Sequence, residues 1–159
     1  MVCIFPSALC APALGIGRGA HEVWCDWIKP RIVSYTGEKQ IETTEVQSGY
    51  AKAGADLDVA DMLMRRNLDV VRPGTPVDPT TRQRCRVYWT QAVQTICQAV
   101  DTLMAMSGSR GFMEASPIQR AWRDVHTIAS HVGLNPEQAA IAYGRHELGL
   151  PRDPRVRIH

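Results

Sequence analysis

Nowhere does this sequence alternate apolar and polar residues as a half-buried strand would, and no uninterrupted apolar run is long enough to span a bilayer. The first absence argues against a β-architecture, the second against a membrane-spanning helix. Neither sign of charge dominates. Eighteen basic residues stand against 16 acidic ones, a net of +2, and the basic ones are dispersed apart from a small cluster at Arg152, Arg155 and Arg157. That balance argues against nucleic acid and against an anionic membrane as partners. Five cysteines, Cys3, Cys10, Cys25, Cys85 and Cys97, form no CxxC pair and no metal-ligand spacing. An odd count without a framework fits a reducing cytoplasm, with Cys25 and Cys97 expected to pack as small apolar residues. The opening MVCIFPSALCAPALG lacks the basic n-region of a signal peptide and runs straight into a helical period.

What is present is helical texture. The 159 residues, 45% of them apolar, suit one domain with a real core. From about Ser7 to about Tyr35, Leu9, Ala13, Ile16, Ala20, Val23 and Trp27 recur at spacings of four and three, the seam of a bundle helix. Pro12 belongs in the first turn or bends the helix. Pro30 kinks or ends it, and Thr36-Gly37 reads as a stop. Gly15, Gly17 and Gly19 have no strand before them, so close helix contact explains them better than a nucleotide loop does. A second helix, about Glu42 to Val71, carries Val46, Tyr50, Ala53, Leu57, Ala60 and Met64 on its seam, with Asp61 and Arg65 paired off it. The breaker from Arg72 to Pro79 is a loop, because the same texture resumes in a third helix, about Pro79 to Met106, seamed by Trp89, Val93, Ile96, Val100 and Leu103.

Ser107-Gly-Ser-Arg-Gly-Phe then reads either as a glycine C-cap or as a phosphate-binding loop in which Arg110 adds a positive fork. The stretch PIQRAWRDVHTIASHV, 117–132, looks like the helix around which the chain is arranged. Ser116 is its expected cap. Ile118, Trp122, Val125, Ala129 and Val132 form an apolar stripe, with Arg120, Asp124, Thr127 and His131 opposite. Arg123 and Asp124 are expected to lock this helix to its neighbours. Asn135 caps a last helix that stops at Gly149 and Pro151. The expected fold is all-α: an up-and-down bundle of four long helices plus a short C-terminal helix, over residues 1–151, with a loose basic tail at 152–159.

GIGRGAHEVWCDWIKPR, ADMLMRRNLD and MSGSRGFMEASPIQRAWRDVHTIASHVGLNPEQAAIAYGRHELGL together resemble the C-terminal helical domain of the acyl-CoA dehydrogenase superfamily. They are most similar to its two-component flavin-dependent monooxygenase branch, which includes the p-hydroxyphenylacetate and secosteroid hydroxylases and the dibenzothiophene monooxygenases. The resemblance implies an oxygenase that receives reduced flavin, FMN or FAD, from a separate flavin reductase. A C4a-(hydro)peroxyflavin then hydroxylates a small aromatic or related substrate. It implies His131 as the catalytic residue, and Ser109, Arg110, His131, Val132 and Arg31 as flavin contacts, with His131 on the same cleft as the Ser109–Arg110 loop. It implies a homodimer or homotetramer. No metal is expected, because His126 and His131 are five residues apart, about 140° around a helix, and form no i, i+4 pair. The Tyr-Glu-Gly-Thr run of true acyl-CoA dehydrogenases is replaced by LNPEQAAIAYGRH, which disfavours thioester desaturation. Complete members carry an N-terminal helical domain and a middle β-domain. Neither fits here, so the chain is expected to be a truncated C-terminal domain, inactive alone. The alternative is a non-catalytic helical oligomerisation or interaction module, and a lesser one is an acyl-CoA dehydrogenase.

Overall fold

A computed structural model of the chain describes residues 5–71 and 76–156. Cys3, Arg157 and the Arg72–Thr75 part of the breaker lie outside the described residues. The described residues form five α-helices: α1, Phe5–Ile28; α2, Thr44–Val70; α3, Pro79–Met106; α4, Pro117–Ala129; and α5, Pro136–Glu147. Short 3-10 turns lie at Gln40–Glu42, Gly108–Phe112 and Val132–Leu134. One isolated antiparallel bridge joins Ile32 to Lys39. The expected all-α bundle is therefore the fold, with three long helices followed by two short ones.

The hub is α3, not α4, since α1, α2, α4 and α5 all pack against it. The reason is visible in its middle, where Ala92, Val93, Thr95, Ile96, Cys97, Ala99 and Val100 are buried nearly all the way round. Only a narrow strip, with Gln91, Gln98 and Asp101 exposed, is left to solvent, so the helix takes neighbours on its other sides. In contrast, α4 is strongly one-sided. Ile118, Ala121 and Val125 are buried, while Arg120 and Thr127 face water. The α1 seam is shifted by one residue from the expected one. Cys10, Ala13, Leu14, Gly17, Ala20, Trp24 and Ile28 are buried, and Val23 is 45% exposed. The inward stripe meets three helices, α2, α3 and α4. At Gly17 a Cβ would stand 2.7 Å from Leu57 Cδ2 and 3.1 Å from Ile96 Cγ2, so α1, α2 and α3 meet there. Gly15 and Gly19 have nothing within 4 Å, so close contact explains only the middle glycine.

Trp24 and Trp89 are both interior, at 1% exposure each. Burial pushes the Cys10 thiol up to about 12 and the Cys97 thiol up to about 11, so both behave as packing groups. Arg18 on α1 reaches Asp61 on α2 at 2.9 Å, and Arg65 meets the same carboxylate at 3.0 Å. These bonds hold the Asp61 carboxyl below the usual range, against a desolvation that works the other way.

Helix ends follow their sequence signals unevenly. Asn135 caps α5 by accepting from the Gln138 amide at 2.9 Å, and Asp78 caps α3 through Thr81 at 2.9 Å. Ser116 does not cap α4: its hydroxyl is buried and makes no hydrogen bond there. Within the segment expected to be a loose tail, Asp153 and Val156 are buried. Asp153 accepts from Arg155 N, Nε and Nη2 at 2.8 to 3.0 Å. This short stretch is thus seated against α3 and α5 beside Pro79, Ala142 and His146.

Candidate functional site

One candidate region lies where α1 and α3 end side by side. Pro30 cannot continue α1, and the chain turns back at Gly37 (φ 73°). Val33 N donates to Glu38 O and Gln40 N to Arg31 O, at 2.8 and 2.9 Å. Arg31 is thereby pinned at the mouth of a small hairpin. Its Nε donates to Trp27 O at 3.1 Å, and its guanidinium lies 3.3 Å from the centre of the Trp27 ring. Across from it, α3 ends at Gly108 (φ 58°), a left-handed position that suits glycine. Gly111 packs so closely on Ser107 that a Cβ there would stand 2.5 Å from the serine Cβ. Buried Ser107 accepts from Trp24 Nε1 at 2.9 Å and donates to Leu103 O at 2.7 Å, which fastens this loop to α1.

Trp27, Arg31, Ile32, Gln40, Ser109 and Arg110 line an open groove of about 760 Å³. Partial burial, and then the nearby Arg110 charge, hold the Arg31 guanidinium below its ordinary value. Among the described residues, neither arginine is paired with a carboxylate. Two like charges lining one groove without a counter-charge suit an anion, and the planar fork of arginine suits phosphate oxygens.

His131 is elsewhere. Helix α4 stops at Ala129, and Ser130 closes it by donating from its amide to His126 O at 3.0 Å. His131 is therefore not on the helix. It has an extended backbone and caps the turn Val132–Leu134. Its ring lies 6.2 Å from that of Phe5, the first residue of α1. Arg31 lies just past the far end of the same 24-residue helix. At 1.5 Å per residue the two are separated by roughly 35 Å. The expected single cleft holding His131, Val132, Ser109, Arg110 and Arg31 together is not formed within one copy. The chain brings Arg31, Ser109 and Arg110 together, and places His131 and Val132 at the opposite end. Both ends are exposed and carry bare apolar side chains: Phe5 (60%) and Val132 (64%) beside His131, Ile32 (60%) and Phe112 (63%) beside the arginines.

Sequence reasoning missed one polar cluster. Asp101 Oδ1 on α3 accepts from Trp122 Nε1 at 2.7 Å and lies 2.9 Å from His126 Nε2. This clamp, and not Arg123 or Asp124, fastens α4 to α3. Asp124 pairs within its own helix, 3.7 Å from Arg120. Trp122 and His126 sit at i, i+4, with ring centres 4.7 Å apart. That pairing was readable, but the partner 21 residues earlier was not.

The family model "Acyl-CoA dehydrogenase, C-terminal domain" matches residues 7–136. The chain belongs to this family. Among curated proteins it is 28% identical over 151 residues to the flavin-dependent monooxygenase oxygenase subunit HsaA of Mycobacterium tuberculosis, which covers 92% of this chain and 38% of that protein. It is 27% identical over 156 residues to the p-hydroxyphenylacetate 3-hydroxylase oxygenase component of Acinetobacter baumannii, covering 96% of this chain and 37% of that protein. The chain thus spans less than two fifths of the length of these two relatives. The crystal structure of the HsaA monooxygenase from M. tuberculosis superposes with a TM-score of 0.80 at 28% identity, over 95% of this chain and 40% of that one. XiaF from Streptomyces sp., solved with FADH2 and glycerol, superposes at 0.85 with 24% identity, over 99% of this chain and 41% of that one. At that identity the last likeness speaks to the fold alone.

Among the described residues no helix is long and apolar enough to cross a membrane, and no group of three His, Cys, Asp or Glu side chains is placed to hold a metal ion.

Proposed function

We propose that this chain is the C-terminal helical domain of a two-component, reduced-flavin-dependent monooxygenase that hydroxylates a small aromatic substrate. The observation that carries the anion side of this reading is the groove between Arg31 and Arg110, two guanidiniums with no carboxylate between them. Those residues fit the phosphate of FMN or the pyrophosphate of FAD. When bound, reduced flavin supplied by a partner reductase would provide the oxygen-transfer chemistry, with one atom of dioxygen going to the substrate and the other leaving as water. In this scheme Arg31 and Arg110 bind the phosphate, with Ser109 offering a hydroxyl beside them. Trp27 holds the Arg31 fork flat under its ring plane. His131 hydrogen-bonds the reacting molecule at the other end, and Val132 excludes water beside it.

A span of roughly 35 Å is farther than one flavin nucleotide reaches. The two ends therefore serve two flavins, and each flavin takes its phosphate contacts and its His131 contact from different copies of the chain in an oligomer. The bare apolar side chains at both ends support such an assembly.

The test joins the chain to the upstream domains of a relative and measures flavin-dependent hydroxylation. Alanine at Arg31 or Arg110 is expected to weaken reduced-flavin binding by about 1.5–3 kcal/mol, the worth of a charge-assisted hydrogen bond. An assembled oligomer with no flavin affinity would instead establish the interaction module, and flavin bleaching by acyl-CoA thioesters would establish a dehydrogenase.

A further inference from the structure

The imidazole of His131 is held by the turn that follows it. The Gly133 amide N–H donates to Nδ1 at 3.0 Å. A neutral imidazole has one nitrogen that donates and one that accepts. With Nδ1 committed to accepting, the ring proton resides on Nε2. Gly133 also leaves the space that this pose needs. A Cβ there would stand 3.1 Å from Nδ1 and 3.4 Å from Cε1, tighter than most side-chain contacts. Phe5 lies against the ring at an interplanar angle of 47°. The ring is thus braced along its Nδ1 edge and by Phe5, while the residue as a whole is exposed.

We propose that Gly133 is a positioning residue that fixes His131 as the Nε2–H tautomer, so that this chain presents a hydrogen-bond donor to the reacting molecule and not a base. The proposal rests on the reading that His131 faces that molecule. Accepting a proton at Nε2 would require a lone pair there, and the Gly133 bond places the lone pair on the opposite side of the ring. The chemistry that fits an outward Nε2–H is an acceptor oxygen. The group facing it is therefore an oxygen with a free lone pair, such as a phenolate, carbonyl or hydroxyl oxygen.

The experiment is long-range proton–nitrogen NMR on the full chain labelled with ¹⁵N, at a pH where the ring is neutral. His131 is expected to give the Nε2–H pattern, with a nitrogen–nitrogen coupling across the hydrogen bond to the Gly133 amide. Gly133→Ala keeps the N–H and crowds the ring, so the tautomer should persist with displaced ring signals. Gly133→Pro removes the N–H, so both tautomers should appear, with folding checked by circular dichroism. An Nδ1–H pattern or a tautomer mixture in the unmodified chain overturns the proposal, and so does a folded proline variant with an unchanged pattern. If the proline variant does not fold, the unmodified chain and the alanine variant decide. Failure of the flavin reading looks different: the Nε2–H tautomer is present, yet His131→Ala leaves hydroxylation by the completed enzyme unaltered.

Discussion

Replacing Ser107 by alanine tests how the anion groove is held in place. Trp24 is 1% exposed, and its indole N–H, which donates to Ser107 Oγ at 2.9 Å, would be left without that partner in the core. A buried donor left unsatisfied costs about 1–3 kcal/mol. For a domain of this size each kcal/mol moves the melting temperature by about 2–4 °C, so Ser107→Ala should melt roughly 2–12 °C lower. Trp24→Phe removes the same bond from the other side. A double-mutant cycle should therefore return a coupling of about 0.5–3 kcal/mol between the two positions. The assay is calorimetry on the four proteins, with hydrogen exchange read at residues 107–112, where the alanine variant should exchange faster. Additive effects with no change in exchange would refute the view that this bond fastens the loop of Ser109 and Arg110 to α1.

Three further outcomes follow from the packing. Gly17→Ala should be less stable than Gly15→Ala by about 1–3 kcal/mol in urea unfolding, since only Gly17 has Leu57 and Ile96 against it; equal stabilities would contradict the tight helix crossing. Asp101→Ala should free the Trp122 indole and raise its fluorescence quenching by acrylamide, whereas Asp101→Asn, which keeps an acceptor, should change it little. Arg155 holds the Asp153 carboxyl below the usual carboxylate range, chiefly through its side-chain and then its backbone hydrogen bonds. A depressed folded value means that the stabilisation is complete above the unfolded carboxylate pKa and is lost as pH falls toward the folded one. Hydrogen exchange around Val156 should then rise in acid, and Asp153→Asn should produce the same rise at neutral pH.

Much of the bundle was legible because long helices with a one-sided period leave little choice. The bounds of α3 were read as Pro79 and Met106, where they fall, and Asn135 was read as the cap it is. The α1 seam came out one residue off because that helix faces three partners, and its buried side mixes small residues such as Ala13 and Gly17 with Trp24 and Ile28. The end of α4 was placed too late. Ser130 and His131 have no helix-breaking chemistry of their own, and the chain leaves the helix into a turn in which His131 accepts from Gly133 two residues later. That misplacement moved His131 onto a helix face. No spacing in a single sequence could show that Arg31 and Arg110 would share a groove, because they meet only after α1 and α3 align.

Complementation in mixed oligomers of the completed enzyme tests the division of the site most directly. His131→Ala chains and Arg31→Ala/Arg110→Ala chains are each expected to be nearly inactive. Co-assembled in equal amounts as dimers, they should recover roughly a quarter of the unmodified hydroxylation rate, since half the assemblies then hold one intact site. Recovery at that level is what two separated half-sites from different copies predict. No recovery, with mixed assemblies present and each variant able to oligomerise, would contradict it.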